Sequence, residues 1–308
     1  MSTPARKGPS LLKGSSWVTV RQHRRALWVA ATGVTLSLAV IGGLRWWDAR
    51  PSAPDGSGSF GALRPAMGYA SLGMLVLPLL AGVFVAGPMV ARELESGTYR
   101  LALTQSVTPT RWLAAKLLTA GTVAITGTLA LIGVYQLGLA RVDGTYLFHW
   151  ADRGPYEASG PVLLAQVLLA LALGALVGQL VRRTVPAMSS TGLVLGTVIL
   201  LLGRARWNLL PVRTVTGPPE QPLPVPHDAL TLDTGLIGPG GARLPEWTCS
   251  EYADPRGCPP GLGITHRYAD YHPHAHFWPT QLLETGILLA LTGLALYAAF
   301  RLLRARHA

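Results

Sequence analysis

His272, His274 and His276 alternate along the chain, with His266 just upstream. In an extended strand those three rings would share one face, and imidazoles so placed can ligate a metal. Pro273 interrupts the run, so a solvated tract is the competing reading. Cys249 and Cys258 are the only cysteines. A disulfide between them would close a short loop containing Pro255 and Gly257, and free thiols or a metal pair are the alternatives. Glu284 sits in the first turns of an apolar run, 277–300. An ionisable group at membrane depth points to a transport pathway. A helix N-terminus also favours negative charge, which would make the residue structural.

A charged stretch between apolar runs, 92–112, holds Arg92, Glu93, Glu95, Gly97, Thr98, Arg100 and Arg111. A helix is expected to run through Glu95 and stop at Gly97, where a left-handed residue ends helices. Thr108 and Pro109 have the chemistry of a new helix start. Such a charged helix-turn-helix can dock on a soluble partner, and a plain solvated loop is the alternative.

Catalytic signatures are absent. No Gly-Lys-Ser/Thr occurs, so the chain has no loop to cradle nucleotide phosphates. His-Glu-x-x-His and Gly-x-Ser-x-Gly are missing too, which argues against a protease or esterase. The chain itself is expected not to be an enzyme and to hold no cofactor of its own.

The elements that must position these residues are long and apolar. Only 13% of the 308 residues are charged, against about 25% in an ordinary soluble domain. Charge-free runs cover 26–44, 65–91, 117–140, 158–181 and 184–203, and 277–300 carries Glu284 alone. About 20 helical residues cross a ~30 Å hydrocarbon core. The expected fold is an all-α polytopic membrane protein of six transmembrane helices. The first run lacks a small-residue cleavage site and is expected to be an uncleaved span.

Alternating the spans puts 1–25, 92–116, 182–183 and 301–308 on one side. These hold 15 of the 26 Lys and Arg residues but only two of the 15 acids, Glu93 and Glu95. Basic excess marks the cytoplasmic side, so both termini are expected there. The high net charge of +11 therefore reflects topology, and no nucleic-acid motif accompanies it. The domains are a cytoplasmic arm, 1–25, with an interfacial helix at 17–25 beside anionic lipid; spans one to five, 26–203; an extracytoplasmic segment, 204–276; span six, 277–300; and a cytoplasmic tail, 301–308. The Pro-rich outer segment is expected to form a small subdomain or cap. Pro78 and Pro88 should kink span two. Gly174-xxx-Gly178 and Gly192-xxx-Gly196 read as helix-packing faces.

The stretch 92–116 resembles the loop between the second and third spans of ABC-2 type transporter permeases, in the bacterial six-span form. The matching residues are Arg92, Glu93, Gly97, Thr98, Leu101, Thr108, Arg111 and Lys116. Segment 17–25 is similar to the interfacial helix before their first span, and 271–284 to the entry of their last. The resemblance implies a permease subunit of an ATP-binding-cassette exporter in the bacterial cytoplasmic membrane. It would pair with a second permease copy or paralogue and with ATPase subunits, and 92–112 would be the coupling element. Glu93 and Glu95 would supply polar contacts to the ATPase. The apolar span faces suit a lipid, drug or peptide-like substrate. The long 204–276 segment departs from the family pattern. Competing classes are a stand-alone secondary transporter, a membrane enzyme with a histidine-rich outer metal site, and a non-transporting assembly or immunity factor.

Overall fold

Apolar runs of span length dominate the computed structural model as helices, and it describes residues 24–48, 60–99, 108–142, 149–249 and 260–306. Arg100, Cys258 and most of the expected interfacial helix at 17–25 lie outside the described residues. Helix α1 spans Arg24–Asp48, and α2 spans Phe60–Leu80. A π-helical segment, Ala81–Ala86, joins α2 to α3 at Gly87–Ser96. Then come α4 (Pro109–Val142), the short α5 (Arg153–Ser159), α6 (Pro161–Val181) and α7 (Thr184–Ala205). The last helix, α8, covers Phe277–Ala305. Among the described residues, five helical stretches are long and apolar enough to cross a membrane, beginning at Ala62, Pro109, Pro161, Thr184 and His274. Helix α1 is 25 residues long.

Helix α6 is the hub. Its most apolar stretch is 72% buried, against 11% for α4 and 22% for α7. It packs against α8, α3, α7, α4 and the π segment. Close approach to the second span depends on small residues. A Cβ added at Gly174 would fall 2.4 Å from the backbone carbon of Ala86, a distance no side chain tolerates. Helix α1 lies on α4 and α2 and adds Ile41 to a cluster with Leu63, Met67, Val134 and Tyr135.

Both prolines expected to kink span two fall inside the α2–α3 stretch. Proline 88 has no N–H to donate, and its ring crowds the preceding turn. The ladder widens just before it, where Gly87 N–H bonds to the carbonyl of Gly82, one residue farther back than in an α-helix.

The segment between α7 and α8 corrects the all-α expectation. It forms a four-stranded antiparallel sheet of β1 (Arg213–Gly217), β2 (Leu230–Ile237), β3 (Arg243–Pro245) and β4 (His266–His272), in the order β1-β4-β2-β3. Alternating Thr, Val, Tyr and Leu suit a half-buried sheet. Strand β1 follows α7 after a short link, and β4 leads within a few residues into α8. Trp150, Trp207, Tyr156, His274 and Phe277 make edge-on ring contacts beneath the sheet, and Trp150 Nε1 donates to the carbonyl of Asp228.

Candidate functional site

Helices that alternate in direction bring chain-distant charges together at each end of the bundle. At the Gly97 end, α3 stops where expected: Gly97 adopts φ 72°, ψ 0°. Helix α4 restarts at Pro109, and Thr108 Oγ1 accepts the N–H of Arg111 at 3.4 Å. Between these ends stands the loop that the sequence nominates for coupling.

The two acids of that loop are engaged within the chain. Glu93 accepts Lys116 Nζ at 2.5 Å and Trp112 Nε1 at 3.1 Å. Lys116 is 9% exposed, so this pair ties α3 to the start of α4 across a shielded contact. Glu95 accepts the backbone N–H of Thr184 at 2.8 Å, and the Thr184 hydroxyl as well. A carboxylate at a helix N-terminus satisfies an unpaired N–H and meets the positive end of the dipole. Both acids that the sequence nominates for polar contacts to a partner thus bond within the chain, and Glu95 keeps an exposed position. Arg92, Thr98 and Arg111 remain exposed.

Helices α6 and α7 meet at this end in a tight hairpin. Arg182 caps α6 at φ 55°, the one described non-glycine residue with positive φ, and its N–H bonds to the carbonyl of Gly178. Arg306, just past α8, donates to the carbonyl of Gln179 at 2.5 Å. Lys116, Glu93, Glu95, Thr184 and Arg306 thus link the ends of five helical spans.

At the sheet end lies a buried ionic cluster that sequence reasoning found only in part. Glu284 is 1% exposed and is held in a two-point grip by Arg206, with Nε to Oε2 at 2.7 Å and Nη2 to Oε1 at 3.0 Å. Arg206 Nη2 also donates to Glu157 Oε1 at 3.0 Å. Its guanidinium carbon lies 4.0 Å from the ring centroid of Tyr156, close enough for a cation–π contact. Arg153 Nε and Gln166 Nε2 complete the shell of Glu157 at 3.3 and 3.4 Å. Gln281 bridges the adjacent chain ends, donating to the Tyr156 carbonyl at 2.7 Å and accepting the N–H of Val162 at 3.3 Å.

Glu157, Arg206 and Glu284 come from α5, the 3-10 turn that follows α7 (Arg206–Asn208), and α8. Each flanks or enters an apolar run at the same end of three successive spans. That shared depth was the signal available in the sequence. Glu284 alone was nominated, because it alone interrupts a run.

The three alternating histidines do not share one strand face, because β4 ends at His272 and a 3-10 turn covers His274–His276, which keeps His276 against His272 and turns His274 away. His272 Nδ1 lies 2.8 Å from His276 Nδ1, and its Nε2 donates to the Trp207 carbonyl at 2.9 Å. His274 instead stacks on Phe277 with ring planes 3° apart. His266 heads the same strand, six residues before His272. Cys249 is disulfide-bonded, and the chain's other cysteine, Cys258, lies outside the described residues.

Six apolar runs, a charged loop after the second of them and a helical hub therefore stand together in one chain. A family model described as ABC-2 membrane transporter related matches residues 26–206. The chain belongs to the ABC-2 membrane transporter related family. This ABC-2 protein is a multi-pass membrane permease of the ABC transporter class. The match takes in the α3–α4 loop and both Glu157 and Arg206, while the sheet and α8 lie beyond it. No curated protein and no solved structure matches the chain.

Proposed function

We infer that this ABC-2 chain is the permease half of an ATP-driven exporter in a bacterial cytoplasmic membrane. It has six spans, with α1 as the first, and places both termini and the 92–112 loop in the cytoplasm. A separate ATPase supplies ATP and Mg chemistry, and a second permease copy or paralogue encloses the pathway. The substrate class is a lipid, drug or peptide-like molecule, suited to apolar span faces.

The observation that carries this reading is the bracing at the foot of the loop. Glu93 joins spans two and three, and Glu95 joins span two to span five. A push on residues 97–108 is therefore delivered to three spans at once. A solvated connector has no need of such bracing. Arg92, Thr98 and Arg111 face away from it and would meet the ATPase.

Copurification from native membranes tests the proposal. The intact chain should bring down a stoichiometric soluble ATPase, and the pair Arg92→Glu/Arg111→Glu should lose it. Glu93→Gln should keep the ATPase but weaken its coupling, with substrate-stimulated hydrolysis falling toward the basal rate. Recovery of the intact chain with no ATPase would overturn the exporter reading. Buried carboxylates at the sheet end are the one feature favouring an ion-coupled secondary transporter. Both are already paired with arginine, and uptake driven by a proton or sodium gradient in ATPase-free vesicles would be needed to prefer it.

A further inference from the structure

A cavity of roughly 450 Å³ opens beside the ionic cluster, lined by Ala151, Arg153, Leu200, Gly203, Arg204 and Trp207, with Arg206 at its inner wall. Three arginines face two carboxylates there. Arg206 is shared by Glu157 and Glu284, and Arg153 reaches Glu157 through Nε alone. The Arg153 guanidinium lies over Gly203, 3.9 Å from where a Cβ would sit. Arg204 is exposed and has no ion pair or hydrogen bond with any described residue. Among the described residues, the cavity therefore holds one uncompensated positive charge. It does so at the end of the bundle where basic residues are depleted.

The stripe leading to it is apolar. Leu193, Leu200 and Arg204 are spaced i, i+7 and i+11 on α7, and so lie on one face. Leu193 is 73% exposed, Leu200 57% and neighbouring Leu201 63%. An occupant matching both parts carries a single negative charge at the rim and a hydrocarbon tail down the helix. We propose that the cavity binds the phosphodiester of an anionic phospholipid from the outer leaflet. Arg153 and Arg204 hold the headgroup, and the acyl chains lie along Leu200 and Leu193. A phosphate ester is matched by guanidinium forks, and Trp207 stands at the depth where aromatic rings favour the interface. A soluble anion would use the arginines but leave the leucine stripe without a role.

Native mass spectrometry of the full chain in detergent tests this, with phosphatidylglycerol titrated against phosphatidylcholine of equal chain length. Wild type should retain one phosphatidylglycerol, and Arg204→Gln should weaken that binding by roughly fivefold, the value of one basic contact at a membrane surface. Gly203→Leu fills the floor of the cavity and should weaken it too. Arg213→Gln removes an exposed arginine on β1 outside the cavity and should leave retention unchanged. Thermal unfolding checks that each variant is folded. Equal retention of both lipids, or loss in Arg213→Gln matching that in Arg204→Gln, overturns the site. Competition by inorganic phosphate as strong as that by the lipid overturns the lipid assignment in favour of a soluble anion.

Discussion

Arg206 makes sense only as a shared residue. A buried guanidinium is costly to desolvate, and two carboxylates and an aromatic face are what make it tolerable here. Removing it by Arg206→Met leaves Glu157 and Glu284 buried against each other. We expect a loss of about 3–5 kcal/mol in stability. The triple variant Arg206→Met/Glu157→Gln/Glu284→Gln removes the charges together and should recover a large part of that loss. Thermal unfolding in detergent measures both, and an Arg206→Met variant as stable as wild type would show that the cluster holds nothing. The sequence disclosed Glu284 because it breaks an apolar run. Glu157 and Arg206 sit beside runs and look like ordinary loop charges. Their roles depend on which helix ends become neighbours, and local pattern does not carry that.

Helices were legible where the membrane sets their length and where local chemistry ends them, as at Gly97 and at Thr108 with Pro109. The sheet was not. Strand β1 pairs with β4 in the register Arg213↔Tyr271 to Gly217↔Arg267, across most of a Pro-rich segment, so no short window signals it. Once formed, the sheet is pinned by side chains. Asp270 accepts Thr214 Oγ1 at 2.5 Å from β1 and Arg243 Nη1 at 2.6 Å from β3. Burial pulls the Asp270 carboxyl up, but those two hydrogen bonds outweigh it and hold the group below the usual carboxylate range. A depressed folded pKa stabilises above the unfolded value of about 3.9 and is lost as pH falls through the folded value. The sheet should thus keep its structure at pH 4 and loosen only at lower pH. Replacing Arg243 with Gln should move that loosening to higher pH. Hydrogen exchange across β1 and β4, followed against pH, reads the shift; an unchanged midpoint in the variant would exclude Arg243 as its cause.

Orientation belongs to the whole molecule, since only the full set of loops carries the charge bias. Cysteines placed at Arg111 and Glu220 lie at opposite ends of the bundle, and both positions are exposed. A membrane-impermeant maleimide should label Glu220→Cys in intact cells and reach Arg111→Cys only after the membrane is opened. Reversed accessibility would invert the topology and detach the 92–112 loop from any cytoplasmic ATPase. The native thiol background is low, because Cys249 is bonded.

The place of β1 and β4 in the chain limits how the molecule can open. Strand β1 is reached from α7 and β4 runs into α8, so their ladder acts as a strap across the adjoining ends of those two helices. Arg206 and Glu284 form a second fastening directly beneath it. To part α7 and α8 at the sheet end, the protein would have to unzip a strand and expose a charge in the same stroke. These spans therefore travel as one slab, with the sheet riding on top. Any opening at that end must therefore form along another seam of the bundle.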